Sequence, residues 1–455
     1  MKMKYMPMAE YCKEYMRYLG VAKTARRSYA ESVRLLEARG FKDISTFKTL
    51  KPGDKVYRGY LDRTVMAAVI GKKPVAEVGL KVVGGHTDAP RLDLKPKPLY
   101  EKGPYVYFDC HIYGGIKKYQ WLVRPLALYG TIVRKDGSKV NVAVGDDPKD
   151  PVFMISDILP HLGYDQAKKT RDEFFPAEDL DVIAWTTFAK PEKDAKKDAE
   201  PKADKNALVE FLKKTYKVDE EDLLSAELEI VPAGMPREVG FDRALIAGYG
   251  HDDRVCSFAG LQALLDASDE VPDQTASILM CDKEEIGSVG ATGMNSRFFE
   301  NVVAEFADLA GAKGDLALRR VLANSRMLSS DVSAGFDPNF AGAFEKKNAA
   351  FLGRGVCFNK YTGSRGKSGS NDANAEYLAD VRRVMDEGGV FFQTAELGKV
   401  NQGGGGTIAY ICALYGMNVV DSGVAVLSMH APWEIISKAD LYEAYKGYKA
   451  FVLNA

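Results

Sequence analysis

Residues 276–293 read ASILMCDKEEIGSVGATG. The first six are a short apolar run, the length of a buried strand. Asp282, Lys283, Glu284 and Glu285 follow at once, and a glycine-rich turn closes the stretch. Adjacent acids mostly mark a solvated surface. Here they stand at a strand's end, close to the backbone, where two carboxylates repel unless a cation comes between them. One can then bind a metal, and the other can hold a proton in transit.

Outward from this stretch, strands and helices alternate. Residues 255–267 (VCSFAGLQALLDA) and 297–310 (RFFENVVAEFADLA) have helical spacing. MLSS at 327–330 and VAVLSM at 424–429 read as short buried strands, and Ala76–Gly85 as a strand ending at His86. Near the start, Ala25, Tyr29, Val33 and Leu36 fall on one helical face, with Gly40 as the stop. Wholly apolar strands between helices predict an α/β fold, its mostly parallel sheet covered by helices on both faces.

The middle of the chain differs. The run Pro90–Pro98 (PRLDLKPKP) predicts a break in regular structure. From about Leu99 to Leu228 short alternating segments predict antiparallel strands, with a hairpin turn at 135–138 (KDGS). Lys190–Lys205, KPEKDAKKDAEPKADK, predicts a solvated mobile loop. The expected organisation is one α/β domain, residues 1–95 plus 236–455, interrupted by a β-rich insertion, residues 96–235.

Composition narrows the function. At 455 residues the chain is too long for one compact core. Lys+Arg number 62 and Asp+Glu 63, so nothing suggests a nucleic-acid partner. The six cysteines lie apart, without metal-binding spacing, and read as reduced thiols of a cytoplasmic protein. The first sixteen residues have no continuous apolar region and do not read as a signal peptide. The longest uncharged stretch, Gln402–Val420, opens with four glycines and reads as buried core rather than a membrane span.

Several groups at strand ends or helix starts could ligate a metal. They are His86 with Asp88, Asp252-Asp253, Glu284-Glu285, Asp331 and His430. A lone histidine after a strand is most often a satisfied core residue. Asp88, two positions on, changes the balance, because a carboxylate beside a ligand imidazole fixes its tautomer. Asp252-Asp253 could equally cap a helix, and Asp331 and His430 are individually ambiguous. With five histidines in the whole chain, a site must mix imidazole with carboxylate, which suits Zn²⁺, Mn²⁺ or Co²⁺. RGKS at 365–368 lacks the glycine that a phosphate loop needs at 361, which is Tyr361. GYGHDD at 248–253 is a partial dinucleotide fingerprint in the wrong context.

These segments, HTDAPRLDLKP (86–96), GYGHDDRVCSFAGLQAL (248–264), DKEEIGSVGAT (282–292), SSDVSAGFDPN (329–339) and SMHAPWE (428–434), resemble in order and spacing the aspartyl aminopeptidase family. KYTGSRGKSGSNDANAEY (360–377) and GGGGTIAYI (403–411) resemble its bacterial and archaeal branch. The resemblance implies a zinc-peptidase-like fold and an aminopeptidase with two divalent metal ions, zinc first, cobalt or manganese as alternatives. His86 and Asp331 would be terminal ligands of one ion, Glu285 and His430 of the other, and Asp252 the bridge. Asp88 would support His86, and Glu284 would be the general base. The choice of Asp252 over Asp253 rests on the resemblance. It further implies a tetrahedral homododecamer built from dimers, the insertion making subunit contacts and His161 reaching a neighbour's site. A first substrate residue that is acidic would need a basic partner: Lys360, Arg365 or Lys367. Gly405, within glycines 403–406, would allow close substrate approach. The rival readings are an N-acyl amino acid deacylase on the same metal centre and a non-catalytic assembly protein.

Overall fold

The computed structural model describes residues 3–186 and 203–454. Residues 190–202 of the charged run lie outside them. The described chain forms two compact units. The first is Met1–Ala89, Pro236–Met429 and Trp433–Ala455, and the second is Pro90–Met235 with His430–Pro432. The second unit therefore begins at Pro90, six residues before the expected boundary, and takes in His430.

The first unit is mixed α/β. Its main sheet has nine strands, in the order Lys42–Asp43, Lys55–Tyr60, Thr64–Val69, Thr275–Cys281, Leu80–His86, Arg326–Ser330, Asn418–Gly423, Val356–Asn359, Phe392–Thr394. The four strands from Thr275–Cys281 to Asn418–Gly423 run parallel to their neighbours. Antiparallel pairs flank them on both sides. Thr275–Cys281 and Leu80–His86 are buried along their whole length, as parallel strands must be to read as unbroken apolar runs. A second sheet of five short strands includes Ala425–Leu427 and Glu434–Ser437.

The helix His251–Ala267 is apolar on nearly every side and buried accordingly. Phe258, on this helix, packs against the rings of Tyr11, Tyr15 and Tyr18 from the N-terminal helix Met8–Val21. The next helix, Ala25–Ala38, starts where Thr24 Oγ1 accepts from the Arg27 amide at 3.3 Å, and Gly40 follows its end at φ +84°. The strand expected over 76–85 begins later. Val75–Val78 is a helical turn, and Gly79 at φ +69° redirects the chain into Leu80–His86. Gln402–Gly406 is a half-exposed loop rather than buried core, and the buried part of that stretch starts at Ile408.

The second unit is an antiparallel sheet of six strands: Lys139–Val144, Leu126–Val133, Ala226–Pro232, Arg91–Lys102, Tyr105–Tyr113, Val182–Trp185. Its core holds Leu92, Val106, Phe108, Trp121 and Ile230. The expected break at 90–98 is instead the long strand Arg91–Lys102. The ladder shifts register between Leu94 and Leu99, so Pro96 and Pro98 fall where no amide is required. The hairpin turn closes with Arg134 N to Ser138 O at 2.9 Å. All six cysteines are free and buried. Among the described residues no helix is long and apolar enough to cross a membrane.

Candidate metal centre

Three adjacent parallel strands deliver their carboxyl ends to one place, where open α/β sheets bind ligands. Leu80–His86 ends on the imidazole itself. On one side, Cys281 is the register partner of His86, and the Glu284–Ile286 turn follows it. On the other, Ser329 pairs with Gly84, which brings Asp331 to the level of His86. Asp252 arrives from the first turn of the helix His251–Ala267, where the Asp252–Asp253 peptide is cis.

Around His86 Nε2 stand Asp252 Oδ1 at 3.2 Å, Asp331 Oδ1 at 3.8 Å and Glu284 Oε2 at 3.9 Å. Two sets of potential ligand atoms converge, each within 4.8 Å: His86, Glu284 and Asp331, and His86, Asp252 and Glu285. Burial opposes charge on His86, yet hydrogen bonds to Asp252 and Asp88 outweigh it and hold its pKa well above the ordinary value. Burial, then the nearby Asp253, drives the Asp331 carboxyl far above the carboxylate range. Carboxylates packed this tightly need protons or a cation between them. Oxygen and imidazole donors at this spacing suit a divalent ion, so the residues present fit a metal.

Asp88 organises the ligands from behind. Its carboxylate accepts from the Glu284 and Glu285 amides, both at 3.2 Å. Its carbonyl oxygen lies 3.1 Å from His86 Nδ1. One residue thus orients the imidazole and the acidic turn together.

Other contributions have partners that were not legible in the sequence. Asp253 is buried beneath the site, and its Oδ2 accepts from the His86 amide at 3.4 Å. A Cβ at Gly85 would sit 2.4 Å from that oxygen, so only glycine lets the aspartate close. Glu434 Oε2 accepts from the Asp252 amide at 3.0 Å. The Tyr15 hydroxyl lies within hydrogen-bonding distance of His251 Nδ1, at 2.6 Å, and burial pushes that imidazole down to about 3, keeping it neutral. The one local signal was Asp-Asp-Arg at a helix start, more charge than a cap needs.

His430 belongs to the second unit, at φ +63°, with Nδ1 3.0 Å from the Gly115 carbonyl oxygen. His161, in the same unit, is exposed in a turn. In the first unit Lys367 Nζ lies 2.9 Å from Asp372 and 4.0 Å from the centre of the Tyr361 ring. Lys360 Nζ is 3.7 Å from the same aspartate. The Gly405 amide donates to the Thr362 carbonyl at 2.9 Å. The Arg365 side chain lies outside what is described.

The fold is mixed α/β with a cluster of potential metal ligands at its strand ends, and similar proteins give it a class. The profile described as "Aminopeptidase I zinc metalloprotease (M18)" matches residues 18–452. A Clostridium acetobutylicum protein named "Probable M18 family aminopeptidase 1" is 50% identical over 97% of this chain and 94% of its own length. The crystal structure of a Thermotoga maritima aminopeptidase of the M18 family superposes with a TM-score of 0.92 at 41% identity, covering 98% of this chain and 97% of that one. The Saccharomyces cerevisiae mApe1 dodecamer shares the fold, with a TM-score of 0.76 at 22% identity, covering 96% and 95% of the two chains. This chain belongs to the M18 aminopeptidase I family of zinc metalloproteases.

Proposed function

We propose that the chain carries two divalent metal ions and removes the N-terminal residue from peptides, with Glu284 as general base. The observation that carries this reading is the convergence of Asp252, Glu284, Glu285 and Asp331 on His86. His86 and Asp331 would hold one ion, Glu285 and His430 the other, and Asp252 would serve both. Zinc is favoured by the family description, and cobalt or manganese suits the same donors.

A divalent ion held there would supply Lewis-acid chemistry, polarising a scissile carbonyl and making an attacking water more acidic. Glu284 takes that water's proton and passes it to the leaving amine. Asp88 holds the turn from which Glu284 reaches in. Lys360, Lys367, Gly405 and His161 are the proposed substrate contacts. Lys360 and Lys367 already face Asp372, so a preference for acidic N-terminal residues draws no support from the loop's charge.

The chain is proposed to assemble as a tetrahedral homododecamer of dimers, in line with the dodecamer described for the yeast relative. The β-rich unit makes the subunit contacts. Light scattering tests this against the mass of the 50.0 kDa chain. Six free buried thiols support a reducing, cytoplasmic compartment.

The deciding experiment pairs one peptide with its N-acetylated form, before and after chelation and metal return. The proposal expects cleavage of the unblocked peptide alone, restored by metal. Preference for the blocked peptide would make the protein a deacylase. Metal analysis addresses the ion count: His430→Ala loses one of the two ions.

A further inference from the structure

Behind the ligand residues lies a buried cation that the chemistry above does not use. Arg254 is 1% exposed. Its Nε donates to the Thr87 carbonyl at 2.9 Å, and its Nη2 donates to the Lys23 carbonyl at 3.1 Å. The guanidinium lies 5.2 Å from the centre of the Tyr249 ring. Gly250 makes room for it: at φ +75°, a Cβ there would stand 2.0 Å from Nη1.

Thr87 is an unusual peptide for an arginine to grip. It joins His86 to Asp88. Its amide and hydroxyl both reach the Cys281 carbonyl, at 2.9 and 3.2 Å, at the end of the neighbouring strand. Asp88, next along, holds the amides of Glu284 and Glu285. The same helix ties the other flank: Ser257 Oγ donates to the His86 carbonyl at 2.8 Å. One guanidinium therefore sits where the His86 strand, the Glu284–Glu285 turn and the Asp252 helix meet.

We infer that Arg254 is a positioning residue of the metal centre, its guanidinium fixing the Thr87 carbonyl and through it His86 and the Glu284–Glu285 turn. Two carbonyls in different directions call for a planar, multi-donor group, which lysine cannot supply. The inference rests on the proposed metal-site roles of these residues. It goes beyond them because Arg254 touches neither metal nor substrate.

The test compares R254K and R254M with the parent protein. Zinc is titrated into chelated protein, and amide hydrogen exchange is followed over peptides spanning 282–293 and, as a control, 418–423. Supporting residues of ligands typically govern about 10–100-fold in metal affinity. R254M is expected to lose affinity in that range and R254K less. Exchange should quicken at 282–293 and not at 418–423. If R254M is folded with parental zinc affinity and parental exchange at 282–293, the inference is overturned. If R254M unfolds, R254K decides alone: parental affinity and exchange there also overturn it. A parent protein that binds no zinc would instead sink the proposed function.

Discussion

Two regions of the first unit were expected to serve the same reaction, and they are built in opposite ways. At the strand ends, His86, Asp252 and Asp331 are almost withdrawn from water, and the amides of Asp252, Glu284 and Glu285 each donate to a carboxylate. In the segment 360–406, lysines and glycines face solvent, and Lys360 and Lys367 share one exposed aspartate. Charge in the first region is strong because little solvent screens it. Charge in the second is screened and partly cancelled. The contrast sets a buried, hydrogen-bonded cluster, where the chemistry is proposed to take place, against a solvent-screened loop.

The largest expected effect tests the rigid region. Glu284→Gln removes a proton carrier and keeps the size of the side chain. Turnover should fall by ~10²–10⁴ with bound metal unchanged. Loss of metal would mean that Glu284 is a ligand, as its place with His86 and Asp331 allows, and that base and ligand are to be exchanged. Asp88→Asn comes next. It weakens acceptance of the Glu284 and Glu285 amides, and metal affinity should drop about 10–100-fold. Isothermal titration checks this, and an unchanged affinity would break the claim that Asp88 organises the site.

What the sequence made legible follows the same division. The apolar runs before Glu284, Asp331 and His86 announced buried parallel strands, because a strand covered on both faces has little freedom to be polar. The positions just past them were therefore readable as a site. Long-range partnerships were not. Nothing near His251 in sequence points to Tyr15, and nothing near Asp252 points to Glu434. Local rules also misled where tertiary structure overrode them. The prolines at 96 and 98 should end a strand, yet a register shift absorbs them. The glycines at 403–406 sit in an uncharged stretch, yet they lie near the surface because Gly404 turns against Ser364 at φ +109°.

A pH experiment sharpens the contrast from inside the sheet. Asp421, on the strand beside Arg326–Ser330, is buried, and Thr407 Oγ1 donates to it at 2.6 Å. Burial raises its pKa to about 7. The folded chain thus holds this proton more tightly than the unfolded one. Its ionisation opposes folding progressively from the ordinary carboxylate range up to about pH 7, and fully above that. Asp421→Asn should be nearly neutral at pH 4 and stabilising at pH 8, on the order of a few kcal/mol. Melting curves of both proteins across that range check the sign. A difference independent of pH would mean that Asp421 ionises as freely as a surface group.

The smallest effect belongs to the exposed loop. An exposed ion pair is worth about 0–1 kcal/mol, so Lys360→Gln and Lys367→Gln should each change kcat/KM for an Asp-initiated peptide by under about fivefold. A Leu-initiated peptide should change still less. Asp372→Asn releases both lysines from their partner and should favour the acidic peptide slightly, an advantage that added salt removes. If Lys367→Gln instead cost the acidic peptide two orders of magnitude and spared the Leu peptide, the lysine must leave Asp372 to meet substrate. The loop would then match the strand ends in specificity, and the division between rigid chemistry and screened surface would fail.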